Sequence, residues 1–172
     1  TKLYVPQLRP SLVPRPHLIE KLNQGLHRKL TLISAPAGFG KTTLIADWGL
    51  RILESETIPK LCWLSLDEGD NDLNSFLIYF IAAMQTVEPD IGLEPLAALQ
   101  SSGATNSEAV LMALLNEIAD LSQTLVLILD DYHVIENQSI DKAVTFLIDH
   151  LPATMHLVIT TRIDPPLPLA RL

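Results

Sequence analysis

An apolar run, a glycine-bearing turn and a Lys-Thr-Thr triplet succeed one another in residues 31–43, TLISAPAGFGKTT, and few folds accommodate that order. Thr31–Ser34 reads as a short buried strand, Gly38 and Gly40 let the backbone curl without Cβ clashes, and a helical pattern starts at Lys41. The amides around Lys41, Thr42 and Thr43 then face an anion at a helix N-terminus. In such a cradle Lys41 reaches between the β- and γ-phosphates and the Thr42 hydroxyl ligates magnesium. The general pattern is G-x-x-x-x-G-K-[ST]. Its first glycine is Ala35 here, whereas Gly40-Lys41-Thr42 keeps the core of the pattern. Ala37, Gly38, Phe39, Gly40, Lys41, Thr42 and Thr43 are therefore the candidate contacts for nucleotide phosphates. An ordinary glycine-rich strand-to-helix turn is the competing reading, but it requires neither the lysine nor the hydroxyls.

The 172 residues suffice for one domain with a substantial core, and 48% hydrophobic content excludes disorder. Apolar runs are too short for a membrane span, and no signal-like segment is visible, so a cytoplasmic location without membrane partners is expected. A net charge of −8 with twelve Lys plus Arg argues against direct nucleic-acid binding by this segment. Cys62, between Leu61 and Trp63 in an apolar strand pattern, reads as a core thiol. The chain opens on Thr1 and ends on Leu169-Ala170-Arg171-Leu172 after a strand signal, and is read as a fragment of a longer protein.

Prolines at 6, 10, 14 and 16 keep the first sixteen residues extended. They form a lead-in to a nucleotide-binding domain over 17–172. A helix is expected from Pro16 to about Arg28–Lys29, and His17 and His27 read as surface residues. After the glycine-bearing loop come a helix to about Leu53 and a strand, Leu61–Leu66. The acidic DEGDND stretch at 67–72 lacks the calcium-loop sequence and reads as a solvated loop in which Asp72 caps a helix over 73–87. Phe76, Tyr79 and Phe80 read as packing residues. Residues 89–103, punctuated by Pro, Gly and Ser, are expected to be a connection. Thr105-x-x-Glu108 signals a capping box for a helix to about Leu121.

The second diagnostic stretch is TLVLILDDYH at 124–133. Its apolar strand delivers Asp130 and Asp131 at the C-terminal end, where α/β sheets place ligands. Adjacent carboxylates there are costly unless solvated, paired or bound to a cation. Asp130 suits Mg2+ together with Thr42, and Asp131 suits orienting or polarising a water as the catalytic residue. Their bland alternative is a surface turn with a helix cap. A helix over 138–150 and a strand, Met155–Thr161, follow, and Arg162 just past that strand is either a γ-phosphate reader or an exposed loop cation.

Taken in order, TKLYVP at 1–6, LVPRPHLIEKL at 12–22, SAPAGFGKTT at 34–43, WLSLDEGDND at 63–72, LILDDYH at 127–133 and ITTRIDPPLPLARL at 159–172 resemble the large ATP-dependent LuxR-type transcription regulators, a branch of the STAND NTPases. The resemblance spans essentially the whole chain. It implies ATP or ADP with Mg2+ as cofactors, and it makes Val13, Pro14 and Arg15 candidates to border adenine or ribose. Pro14 stands where many STAND relatives carry glycine. Arg162 matches the sensor arginine after the fourth core strand. The implied fold is a three-layer α/β P-loop NTPase of the additional-strand class, truncated before the fifth strand, with the Met155–Thr161 strand between the phosphate-loop and Asp130 strands.

The implied function is an ATP-binding regulatory switch of a signal-dependent transcription activator. An inducer acts on a distal sensor, ATP supports self-association, slow hydrolysis resets the switch, and a missing C-terminal helix-turn-helix binds DNA. The isolated segment is expected to have weak ATPase activity or none. A generic P-loop ATPase coupled to metabolism or transport is the alternative, and a nucleotide-free scaffold a third reading.

Overall fold

In the computed structural model, residues 2–8, 13–54, 59–101 and 106–169 are described. Ten elements follow in order: α1 (Pro16–Gly25), β1 (Leu30–Ser34), α2 (Lys41–Glu54), β2 (Lys60–Ser65), α3 (Leu73–Gln85), α4 (Leu93–Ser101), α5 (Ser107–Ala119), β3 (Leu125–Asp130), α6 (Gln138–His150) and β4 (Met155–Thr161). Short 3-10 turns occupy Glu68–Asp70 and Tyr132–Val134.

The four strands form one sheet in the order β1-β4-β3-β2, and every pairing is parallel. β4 thus separates the phosphate-loop strand from the Asp130 strand, as the additional-strand P-loop class requires. β3 and β4 are buried at every residue, so the sequence shows no polar alternation there. The period of two reappears in what each residue touches. Leu125, Leu127, Leu129, Leu157 and Ile159 join the core packed by α3, α5 and α6, while Val126, Ile128 and Val158 join the second core under α1 and α2. Helices on both faces therefore account for apolar strands without alternation.

Several local expectations need correction. α1 stops at Gly25 rather than near Lys29, because the chain turns there, Arg28 N–H donating to the Gly25 carbonyl before β1 begins. The 89–103 connection contains α4. Its prolines and glycines mark a helix start: Gly92 at φ 70° turns the chain, and Pro95 lies in the first helical turn, where a missing N–H costs nothing. α5 is capped by Asn106, which accepts from the amides of Glu108 and Ala109; Thr105 lies outside the described residues.

The acidic stretch is no solvated loop throughout. Asp72 does cap α3 by accepting from Ser75 N–H at 2.9 Å. Asp70, however, is 0% exposed and is paired with Lys2. Phe76 and Phe80 are core residues, whereas Tyr79 is partly exposed under the Lys2 ammonium. Cys62 is buried, and burial pushes its thiol up to about 12, an inert core thiol. Among the described residues no helix is long and apolar enough to cross a membrane.

Candidate nucleotide site

The loop between β1 and α2 takes its shape from glycine. Gly38 and Gly40 sit at φ 83° and 75°, a region that side chains rarely adopt. Gly40 is confined as well, since a Cβ there would lie 3.3 Å from Arg15 Nη2. Ala35 is outside the left-handed region, so its methyl is accommodated where the general pattern has glycine. The loop entrance is fixed to the sheet by Ala35 N–H donating to the Thr161 carbonyl at 3.2 Å. α2 begins at Lys41, which puts its N-terminal amides at the loop mouth.

Lys41 is 8% exposed, and its ammonium donates to the carbonyls of Ala35 at 2.7 Å and Pro36 at 3.1 Å. Both acceptors are neutral, so the full positive charge stays available to an anion in the loop. Thr42 Oγ1 donates to Asp130 Oδ1 at 3.1 Å. The same oxygen accepts from Thr160 Oγ1 at 2.5 Å, and that hydroxyl in turn accepts from Asp131 N–H at 3.0 Å. Thr160 was missed by sequence reading. A threonine inside an apolar strand is ordinary β-propensity, and only the β3–β4 pairing brings it beside both aspartates.

Asp130 is 2% exposed, and burial raises its carboxyl above the usual carboxylate range; the Thr160 hydrogen bond works against this and the Asp131 charge adds to it. A buried carboxylate with a hydroxyl beside it and no cationic partner among the described residues has the chemistry of a half-built Mg2+ site. Thr42 and Asp130 could supply two hard oxygens to such an ion, with phosphate and water supplying the rest. The raised value has a consequence for stability. The folded state holds the Asp130 proton more tightly than the unfolded chain does. Its contribution is therefore fully present below the unfolded carboxylate value and is lost as pH rises through the folded one. Asp130→Asn, which keeps the acceptor oxygen, is expected to melt above wild type in Mg2+-free buffer at about pH 7 and close to wild type at about pH 4. Differential scanning calorimetry at the two pH values checks this.

Asp131 diverges from its neighbour because its backbone is left-handed, at φ 61° and ψ 39°. Its side chain is 40% exposed and shares a cleft of about 320 Å³ with Ala37, Gly38, Gly40, Lys41, Thr42, Thr43 and Arg162. Arg162 is exposed and lines that cleft, so it faces the loop. His133 lies beside this cleft, its Nδ1 3.6 Å from Asp131 Oδ1 and without a hydrogen-bond partner among the described residues. Burial, then the Arg162 charge, lowers its pKa and favours the neutral imidazole. The turn carrying it is pinned by the Tyr132 hydroxyl donating to Asp141 at 2.8 Å.

A second cleft of about 450 Å³ continues around the loop, sharing Gly40, Thr42 and Thr43. Val13 and Arg15 wall it, as do Pro6, Gln7 and Leu8, which sequence reading left as a mere lead-in. Pro14 is not part of that wall. Arg15 holds the loop from outside, its Nη1 donating to the Phe39 carbonyl at 2.9 Å. The Phe39 ring is 62% exposed and borders a groove along β1 rather than the phosphate cleft.

Comparison with known proteins agrees with this architecture. No protein-family model matches the chain. Over all 172 residues it is 36% identical to the HTH-type transcriptional regulator MalT of Serratia proteamaculans and 37% identical to MalT of Yersinia pestis. The chain spans 18% of the length of each. Among solved structures it resembles Cdc6p from Pyrobaculum aerophilum, with a TM-score of 0.58 and 18% identity over 94% of this chain and 41% of that one. It also resembles a chain of the Drosophila ORC bound to DNA, with a TM-score of 0.55 and 12% identity over 90% of this chain and 78% of that one. At such identities these likenesses concern the fold alone, and the fold is that of a P-loop NTPase.

Proposed function

We propose that this P-loop domain, similar along its whole length to one segment of the MalT regulators, is the ATP-binding switch of a signal-dependent transcription activator. The observation that carries the reading is the convergence of Thr42 and Thr160 on one oxygen of Asp130, with Asp131 and Arg162 facing the loop that holds Lys41. A phosphate-binding turn alone needs none of these partners.

Within the proposal, 13–43 binds ATP or ADP. Lys41 and the amides of Gly40–Thr43 hold the phosphates, Arg162 reads the γ-phosphate, and Val13 and Arg15 border the base or ribose. Thr42 and Asp130 hold Mg2+, which when bound offsets charge on the phosphate oxygens. Asp131 accepts a hydrogen bond from the attacking water and so aims it; its proximity to the loop, with solvent access, supports that role. Slow hydrolysis in the full-length protein then returns the switch to its ADP form. Residues 1–16 are read as a lead-in to a domain over 17–172. The inducer, self-association, the distal DNA-binding module and the cytoplasmic location belong to the same proposal, as do the STAND and LuxR assignments. The charge of −8 leaves DNA contact to another part of the protein.

Sedimentation of the full-length protein in ATP and in ADP tests this. The ATP form is expected to reach at least about twice the monomer mass at concentrations where the ADP form remains monomeric, since ATP must bind the assembled state more tightly to favour it. The same mass in both nucleotides, with tight binding of each, would reject the switch and leave a generic ATPase.

A further inference from the structure

The segment 2–8 is fastened at one end and borders the candidate base cleft at the other. At the fastened end the Lys2 ammonium donates to Asp70 at 2.8 and 3.1 Å and to Asp67 at 3.2 Å. The ammonium also stands 4.0 Å over the Tyr79 ring, and the Lys2 carbonyl accepts from Ser65 N–H at 2.8 Å. Asp70 is 0% exposed, so this is a built receptor for one cation rather than a surface pair. From there Leu3 packs against the core of α3, α5 and α6, whereas Val5 and Leu8 pack against the core of α1 and α2. The segment therefore passes from one face of the sheet to the other. Its far end, Pro6-Gln7-Leu8, stands opposite Gly40, Thr43 and Asp47.

We propose that Lys2 is a positioning residue for nucleotide binding: its ammonium, locked by Asp70 and Asp67, keeps residues 3–8 folded as the outer wall of the cleft that takes the base. The proposal rests on the reading of this domain as a nucleotide-binding one. Lys2 itself lines neither cleft and touches no ligand. It acts by making the wall present before the ligand arrives. Without that fastening residues 2–8 regain backbone freedom, and a ligand that needs the wall must then bind the ordered fraction only. The fastening reaches the other end of the site too. Asn71, next to Asp70, donates to the Val134 carbonyl at 2.8 Å and accepts from Glu136 N–H at 2.7 Å, just beyond the turn that carries His133. The loop that receives Lys2 is thus tied to the body of the domain, which makes it a fixed anchor for the wall.

The test compares ATP with inorganic tripolyphosphate by calorimetry, using the protein at its full natural length. Lys2→Met alone would leave Asp70 buried and unpaired, so the informative variant is Lys2→Met combined with Asp70→Asn, which removes both charges. The double variant is expected to bind ATP about ten-fold more weakly, as follows if the wall is ordered in about a tenth of molecules, with tripolyphosphate affinity unchanged within about two-fold. Lys2→Arg, which keeps the charge, should bind ATP as wild type does. Unchanged ATP affinity in the double variant overturns the proposal, and so does an equal loss for both ligands, which is what general destabilisation would give. Failure of the underlying reading is recognisable separately, as wild type that binds neither ligand or as Lys41→Ala that binds ATP like wild type.

Discussion

Replacing Lys41 with alanine is expected to weaken ATP binding by roughly 30- to 150-fold, the equivalent of about 2–3 kcal/mol for losing charge-assisted hydrogen bonds to phosphate. The magnitude follows from how the side chain is held. Its ammonium is almost buried and is oriented by two neutral carbonyls of its own loop, so it loses little freedom when it turns to an anion. No carboxylate has to be displaced first. Truncation leaves the carbonyls of Ala35 and Pro36 short of one donor, but Pro36 is exposed and Ala35 partly so, and the fold should persist. Calorimetric titration with ATP, on protein whose circular dichroism matches wild type, measures the effect. Equal affinity in the two proteins would remove the phosphate assignment of the loop.

Asp131→Asn is expected to separate binding from turnover, slowing single-turnover hydrolysis by about 10²- to 10⁴-fold, the usual worth of a positioned general base. ATP affinity should stay within about three-fold, since in the proposed roles other groups carry the phosphate contacts. Asparagine is the right substitute for a structural reason. Position 131 lies at φ 61°, and asparagine tolerates that backbone as aspartate does, so the change removes charge and basicity without reshaping the turn. Asp130→Asn should behave differently, weakening the Mg2+-dependent part of ATP binding. In a switch, the slow Asp131→Asn protein should linger in the assembled ATP form; in a metabolic ATPase it would only lose output. Rapid-quench hydrolysis and sedimentation on the same sample distinguish the two, and hydrolysis at the wild-type rate would end the catalytic assignment of Asp131.

The phosphate loop and the twin aspartates were legible because their signals are local. A strand, two glycines and a lysine at fixed spacing need no knowledge of the rest of the chain. The placement of β4 between β1 and β3 rested instead on the resemblance to a P-loop class, since four apolar runs by themselves permit many orders. What stayed hidden depends on contacts between distant residues. Asp70 looked like one acid among several in a polar loop until Lys2, 68 positions away, was seen to enclose it. Thr160 acquires its meaning only from strand pairing, and Pro6, Gln7 and Leu8 only from where the lead-in comes to rest. α4 was concealed by its own start signals, because Gly92 and Pro95 read as breakers when the helix they introduce is short.

The path of residues 2–8 also bears on how this sheet meets other chains. A border strand presents a row of backbone donors and acceptors that any extended polypeptide can join, which is how many sheets aggregate. Along β2 the Lys2 carbonyl already takes the Ser65 N–H, and a lysine ammonium stands beside it. On the opposite border, among the described residues, β1 pairs with β4 alone. The two margins are therefore unequal among the described residues: residues 2–8 take up β2's edge at Ser65, whereas β1 offers Leu30–Ser34 to a further strand, next to the phosphate loop.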